Sequence, residues 1–182
     1  DELFARHYFG TMQTLARRHG LRVYAEAQGG PLNPLLGNEY VDVPMNEFWT
    51  HNAAERRPRM KITVSAAGVL GKPIVAAEAF TAVPEHGKWQ NTPYSLKALG
   101  DLAFAAGINR FIFHSYIHQP FTDAAPGFTH GRYGTHFGRL NTWWKLAPAW
   151  IDYLARSQSL LQRGERVADV LLVAHQDLRY AP

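Results

Sequence analysis

The sequence predicts an α/β protein whose strands form a parallel sheet, and three observations lead to this prediction. Short apolar runs rich in Val, Ile and Phe alternate with longer segments of helical periodicity. The helical segments are bounded by capping and breaker residues, such as Thr92 with Pro93 at one start and Gly107 at its end. Each of the first four apolar runs ends in polar or acidic residues and an irregular loop. Strands that alternate with helices favour a parallel sheet.

The first helix is predicted over residues 3–19 from the spacing of its apolar side chains, and Gly20 suits its C-terminal end. The apolar side chains expected near one face are Leu3, Phe4, Tyr8, Met12 and Leu15. Three strands and a second helix follow in the first half of the chain. The strands are predicted at 22–26, 41–44 and 74–79, the helix at 53–70, and the breaker-rich segment QGGPLNPLLGN is predicted as a loop.

The second half repeats the pattern of helix and strand. The segment TPYSLKALGDLAFAAG predicts a helix, and the run RFIFHSY predicts a strand over 110–115. A long loop rich in Gly, His, Thr and Pro spans residues 118–140, and the last helix is predicted from Thr142 to Leu161. The final run, VADVLLVAH, is typical of a buried strand.

The polar ends of the strands indicate where a site would lie. In a β/α barrel the strand C-termini and the loops after them build the active site, and a doubly wound sheet also places its site at strand ends. No Gly-rich phosphate-binding turn follows any predicted strand, so a nucleotide site has little support.

Composition and charge exclude several classes of function. The 182 residues are 46% hydrophobic and carry a formal net charge of only +4. The basic residues are scattered in pairs, such as Arg17-Arg18, which argues against nucleic acid as a partner. No apolar run approaches the ~20 residues that span a membrane. Without cysteine there is no disulfide scaffold, thiol nucleophile or thiolate zinc site.

Acidic residues are expected at the strand ends: Glu26, Asp42, Glu47 and Glu78. A buried carboxylate is costly unless it is paired, hydrogen-bonded or metal-bound. Hydrolysis of an acetal uses two carboxyl groups, one to protonate the leaving oxygen and one to activate water or attack carbon. Glu78 follows four apolar residues, and its alternative role is an ion pair with Arg110. Glu47 is expected after its strand, where a loop carboxylate is the alternative, and a buried ion pair is the alternative for Glu26.

Histidine, arginine and tryptophan residues in the last third add candidates. His114 and His118 are four residues apart, which places them on one face of a strand, and with nearby acids they could bind a transition metal. His136 and Arg139 follow the long loop, where Arg139 could clamp an acid or bind hydroxyl groups. Trp143 could stack on a sugar ring, although a core position is an equal alternative.

Long motifs in consistent order resemble the barrel region of glycoside hydrolase family 106. They are YAEAQGGP, VDVPMNEFW, VAAEAFT, KALGDLAFAAGINRFIFHSYIHQP, HFGRLNTWW and AWIDYLARSQSLLQRGERVADVL, and they cover nearly the whole chain. The resemblance implies the C-terminal part of a (β/α)8 catalytic barrel over residues 1–164 and the start of a following domain or a terminal strand over 165–182. It also implies a longer protein, secreted or periplasmic in a bacterium, whose signal peptide would lie outside this sequence.

The resemblance further implies inverting hydrolysis of α-L-rhamnosyl residues from a glycan or glycoside. It marks Glu78 as an active-site acid, and we expect Glu78 to be the general base. Glu47 is expected as a second carboxylate that holds calcium or substrate hydroxyls, and the general acid is expected outside this chain. Calcium is the one cofactor expected, and no organic cofactor is. The residues expected to bind substrate are Glu26, His114, His118, His136, Arg139 and Trp143.

Two other functions stay open at this point. One is a metal-dependent hydrolase that uses His114, His118 and an acid. The other is a carbohydrate-binding module without catalytic activity, which would present an exposed aromatic platform and dispersed glutamates.

Overall fold

A computed structural model describes residues 1–28 and 32–170 of the chain. Four parallel strands form one sheet in the order β1-β2-β3-β4, which is also their order in the sequence. Their bounds are Tyr24–Ala25 for β1, Val43–Trp49 for β2, Ala76–Thr81 for β3 and Arg110–Phe113 for β4. The prediction of a parallel α/β arrangement with these four strands in sequence order is confirmed.

The helices connect and flank the strands. They are α1 (Glu2–Phe4), a π-helical turn (Ala5–Phe9), α2 (Gly10–Arg18), α3 (Pro34–Glu39), α4 (Ala53–Val69), α5 (Pro93–Ala106) and α6 (Ala147–Leu161), with 3-10 turns at Pro84–His86 and Trp144–Leu146. The helices predicted over 3–19, 53–70 and the TPYSLKALGDLAFAAG segment are present, and the predicted last helix begins as the second 3-10 turn. Only α3 was not expected.

The caps of α3 and α5 explain their positions. In α3, the Asn33 side chain accepts hydrogen bonds from the N–H groups of Leu35 and Leu36, and Pro34 occupies the first turn, so the breaker-rich segment contains a capped helix rather than only a loop. In α5, Thr92 and Ser95 form a reciprocal capping box.

The two faces of the sheet differ in what covers them. The face that we call the core face packs Phe48 of β2 and Ala77 and Ala79 of β3 against α4, α5 and α6. Phe80 belongs to the same cluster and is fully buried. We call the opposite face the open face. It carries the side chains of Glu47, Glu78 and Ile112: Glu78 pairs in register with both of the others, and Glu47 lies between two buried residues of β2.

A second, smaller core lies between the N-terminal helix and β1. It is made of Ala5, Phe9, Val23, Ala27, Leu32 and Val41. The five apolar residues predicted to share one face of that helix lie outside this core, since each is more than two-fifths exposed: Leu3, Phe4, Tyr8, Met12 and Leu15.

Beyond α6, residues 165–170 form neither helix nor strand. The remainder of the predicted strand VADVLLVAH, and most of the expected domain at 165–182, lie outside the described residues. Among the described residues, no helix is long and apolar enough to cross a bilayer.

Candidate active site

Two carboxylates lie side by side on the open face of the sheet. Glu47 of β2 pairs in register with Glu78 of β3, so both side chains emerge on the same side of neighbouring parallel strands. The prediction that Glu47 follows its strand is wrong, because β2 continues to Trp49. The run PMNEFW did not predict this part of the strand, since proline and asparagine are rare within strands.

A bulge follows Glu78 in β3. The register runs from Glu47↔Glu78 to Trp49↔Thr81, so two steps along β2 match three steps along β3. The extra residue is accommodated at Phe80, whose φ is +63°, a left-handed conformation that is costly for a bulky side chain, about 1–3 kcal/mol. The buried ring of Phe80 lies among Phe48, Phe111 and other aromatic residues, and this packing stabilises the bulge.

Glu78 contacts a hydroxyl and an imidazole. The Thr81 hydroxyl donates a hydrogen bond of 2.5 Å to Oε1 of Glu78. Nδ1 of His114 lies 3.6 Å from the same oxygen, close enough for an ion pair when the histidine is protonated and too far for a hydrogen bond. The alternative of an ion pair with Arg110 is wrong, because that guanidinium donates to the Tyr24 hydroxyl at 2.6 Å and to the Gln162 side chain at 3.1 Å.

The segment 134–137 runs beside His114 and Ser115, just after the end of β4. The Thr135 N–H donates to the His114 carbonyl at 3.0 Å, and the Ser115 N–H donates to the Thr135 carbonyl at 2.8 Å. Gly134 permits this approach, since its φ is +85° and a Cβ there would meet the His114 carbonyl oxygen at 2.9 Å. The end of the long loop is therefore tied to His114, the residue that follows β4.

His136, in this segment, is only 8% exposed, and neither of its ring nitrogens makes a hydrogen bond within the described part of the chain. Burial lowers the pKa of His136 and outweighs a contact with the Tyr133 backbone, which raises it. The positive charge of Lys88 also lowers this pKa, so the neutral form is favoured. The edge of Trp89 packs on the imidazole at a centroid distance of 4.7 Å.

A groove of about 340 Å³ opens beyond Trp89. Its lining is mostly apolar, with one amide and one hydroxyl side chain: Trp89, Ala125, Pro126, Leu140, Asn141 and Thr142. Contacts connect Glu78 to this groove in three steps. Glu78 lies beside His114, the His114 backbone bonds the segment that carries His136, and His136 packs against Trp89 at the groove. A surface with an aromatic ring and a few polar groups suits a sugar or an aromatic leaving group.

Histidine and tryptophan rings line the other side of the site, at the ends of β2 and β3. Trp49 meets His51 edge-on at 5.6 Å, and His51 stacks on His86 at 5.3 Å. The loop is held by the Thr50 hydroxyl, which donates to the His86 carbonyl at 3.0 Å. Sequence reasoning missed this group, because its rings come from the end of β2 and from the 3-10 turn at Pro84–His86, which are far apart in the chain.

Asp42 does not belong to the site. It precedes β2 and so lies at the opposite end of the strand from Glu47. Its carboxylate accepts hydrogen bonds from the Val23 N–H at 2.8 Å, from Arg17 at 2.9 Å and from Gln13 at 3.0 Å. Burial alone would raise the pKa of Asp42, but these donors outweigh it and hold the pKa below its ordinary value. Asp42 joins α2 to the sheet.

The other predicted residues lie in varied surroundings. Glu26 follows β1 and is exposed, so the expectation that it is short of water is wrong. The expectation that His114 and His118 share a strand face is also wrong, since β4 ends at Phe113 and His118 is exposed in the long loop.

Arg139 and Trp143 have structural contacts. Arg139 donates to the carbonyls of Gln119 at 2.9 Å and Phe121 at 2.6 Å, which ties the long loop together. Trp143 packs against the aromatic core and donates its indole N–H to the Asn91 carbonyl at 2.9 Å. A role of either residue in binding a sugar stays a prediction.

The described residues do not by themselves fit a calcium ion. Calcium takes six to eight oxygen ligands, and within residues 1–28 and 32–170 no group of three or more His, Asp or Glu residues is placed to hold a metal ion. Glu47 is the carboxylate on the open face that could contribute to a site shared with other parts of a longer protein. No chemical step is assigned to the metal here.

A parallel sheet with paired carboxylates at the carboxyl ends of its strands is the type of site that carbohydrate-hydrolysing enzymes use. The comparison with protein families is more specific. The chain belongs to glycoside hydrolase family 106, described as α-L-rhamnosidase, whose model matches residues 1–181.

Two relatives extend this finding. A rhamnosidase of Novosphingobium sp. PP1Y superimposes with a TM-score of 0.83 at 35% identity, over 92% of this chain and 16% of that one. A curated protein of Formosa agariphila, named as a candidate β-glucuronidase, is 42% identical over 171 residues, which is 94% of this chain and 14% of that protein. The chain thus spans 16% of the length of the Novosphingobium protein and 14% of that of the Formosa protein.

Proposed function

We propose that this chain supplies one side of the active site of an α-L-rhamnosidase and that Glu78 is the general base of an inverting mechanism. The observation that carries the proposal is the placement of the Glu78 carboxylate. It emerges on the open face of β3, three residues before the carboxyl end of the strand and beside Glu47, with one oxygen held by Thr81 and His114 close by. Membership of the family supports a glycosidase, and the site supplies the carboxylates.

In the proposed reaction, Glu78 accepts a proton from a water molecule as that water attacks the anomeric carbon of the rhamnosyl residue. A second carboxyl group protonates the glycosidic oxygen as the bond to the leaving group breaks. The oxocarbenium-like transition state forms between them, and the product is rhamnose of inverted anomeric configuration.

Glu47 is not assigned as the acid. An inverting pair of carboxyl groups is about 6.5–9.5 Å apart, which leaves room for the water. Neighbouring strands lie only about 4.8 Å apart, and Glu47 and Glu78 are partners in register. We therefore assign Glu47 to substrate hydroxyls or to calcium, and the general acid to a residue beyond this chain.

A rhamnosyl residue is favoured over a glucuronosyl residue, which is the second candidate because of the name of the Formosa relative. A uronate carboxylate calls for a cationic partner. Two arginines near the site already have other partners: Arg110 donates to Tyr24 and Gln162, and Arg139 to loop carbonyls. These two arginines are therefore engaged, and the family description as α-L-rhamnosidase favours the neutral sugar.

The test uses the full-length enzyme with an aryl α-L-rhamnoside as substrate. Glu78→Gln keeps the shape of the side chain and removes the base, so kcat is expected to fall by roughly 10²–10⁴-fold while the fold is retained. Glu85→Gln is the matched control, because Glu85 is an exposed glutamate on the 3-10 turn at Pro84–His86 and should turn over normally. Near-normal turnover by Glu78→Gln would refute the assignment and make Glu47 the next candidate.

Two further measurements decide the remaining points. The anomeric configuration of the first product, followed by NMR, distinguishes inversion from retention, and a retained product would make Glu47 and Glu78 the reacting pair. Hydrolysis of an aryl β-glucuronide in place of the rhamnoside would favour the second candidate.

A further inference from the structure

We infer that Thr81 is a positioning residue for Glu78 and that the bulge at Phe80 is what brings it there. The inference rests on the proposed role of Glu78 as the base. It deepens that role by naming the group that orients the reacting carboxylate.

The positions of the two residues in the strand make their contact unusual. In a regular strand, residues three apart point to opposite faces of the sheet. Thr81 would then lie on the core face, away from Glu78. In the structure Thr81 pairs with Trp49, two residues after Glu47, so the extra residue in the bulge returns Thr81 to the face that carries Glu78.

Phe80 and the neighbouring strand hold this geometry in place. The Phe80 ring is fully buried and packs on Phe48 at 5.0 Å and on Trp150 at 5.4 Å. The Thr50 N–H donates to the Thr81 carbonyl at 2.8 Å, which fixes the backbone after the bulge. Thr81 is 2% exposed and β-branched, so its hydroxyl has little freedom to turn away from Glu78.

The hydrogen bond has a direct chemical consequence. The Thr81 hydroxyl donates to Oε1 of Glu78, which leaves Oε2 as the oxygen that can face a water molecule. The bond therefore orients the carboxylate.

The experiment compares three variants in the full-length enzyme. Thr81→Val keeps the branched shape and removes the hydroxyl, and kcat is expected to fall about 10–100-fold with KM changed less than about threefold. Thr81→Ser restores the donor and should remain within about threefold of the wild type. Thr14→Val is the control, since the exposed Thr14 hydroxyl bonds the Gly10 carbonyl within α2 and does not touch Glu78.

A double-mutant cycle separates positioning from a structural role. In the Glu78→Gln background, Thr81→Val should have little further effect on kcat, because the base it serves is already absent. If Thr81→Val reduces the yield of folded enzyme, Thr81→Ala replaces it, and kcat is expressed per folded molecule.

The outcomes distinguish the two proposals. If Glu78→Gln is inactive while Thr81→Val turns over normally, the role of Thr81 is wrong and that of Glu78 stands. An equal loss from Thr81→Val in both backgrounds would also overturn the positioning role. If Glu78→Gln is active, the proposed function itself fails.

Discussion

The aromatic core behind β3 and the apolar side chains along the N-terminal helix are built from the same kinds of residue but differ in burial. Phe48 and Phe80 are fully buried between the sheet and helices α4 to α6. Leu3 is 74% exposed and Leu15 is 50% exposed. Phe4 and Tyr8 stack on each other at 5.1 Å, and both are more than half exposed.

A periodic pattern therefore predicts which side chains share a helix face, but it does not predict what covers that face. The core behind β3 is completed by elements within the described residues. The stripe of Leu3, Phe4, Tyr8, Met12 and Leu15 has no such cover there.

A substitution in the aromatic core should reduce the free energy of unfolding most. Phe48→Ala should destabilise the full-length protein by about 3–5 kcal/mol, because it removes a fully buried ring that packs edge-on against Phe80 and Phe111. Urea unfolding followed by tryptophan fluorescence measures the change. A loss below about 1 kcal/mol would mean that the cluster repacks around the missing ring. The core and the exposed stripe would then differ less in their contribution to stability than their burial suggests.

An intermediate effect is expected at Asp42, which ties the stripe-bearing helix to the sheet. Asp42→Asn should cost about 1–3 kcal/mol, since it weakens hydrogen bonds from Arg17, Gln13 and the Val23 N–H. Urea unfolding at neutral pH gives the value. Arg18→Gln is a matched control on the same helix, because Arg18 is exposed.

The Asp42 interaction should also depend on pH. The pKa of Asp42 is lower in the folded protein than its ordinary value of 3.8, so its contribution is present above that pH and is lost as the pH falls through the lowered value. The stability difference between wild type and Asp42→Asn should therefore narrow in acid. A constant difference across this range would show that the hydrogen bonds do not favour the ionised form.

The smallest effect on stability is expected in the stripe. Leu15→Glu should change the free energy of unfolding by less than about 0.5 kcal/mol in this chain alone, because the side chain is already half exposed. The same change should reduce self-association, since we expect the chain on its own to aggregate or pack loosely. Size-exclusion chromatography and thermal unfolding check both points. A monomeric wild-type chain with a cooperative transition would contradict this expectation.

Local signals in the sequence predicted much of the fold and part of the site. Thr92 with Pro93 and Gly107 correctly marked the ends of α5, because caps and left-handed glycines act over a single turn. Glu78 was predicted on β3 because a glutamate within an apolar run must have a reason to be there. In each case the deciding interaction lies within a few residues of the chain.

Contacts between distant segments decided the rest. Asp42 and Glu47 read alike in the sequence, yet the first lies before β2 and the second within it, because pairing with β1 and β3 sets the bounds of the strand. Thr81 reaches the face of Glu78 only through a left-handed Phe80, a conformation that no local preference favours and that burial of the ring among distant aromatic residues stabilises. Local patterns in the sequence were enough to predict the α/β class, the order of the elements and the place of Glu78 in a strand. The groups that surround that carboxylate depend on the tertiary structure, because register and bulges depend on the energy of packing across the whole sheet.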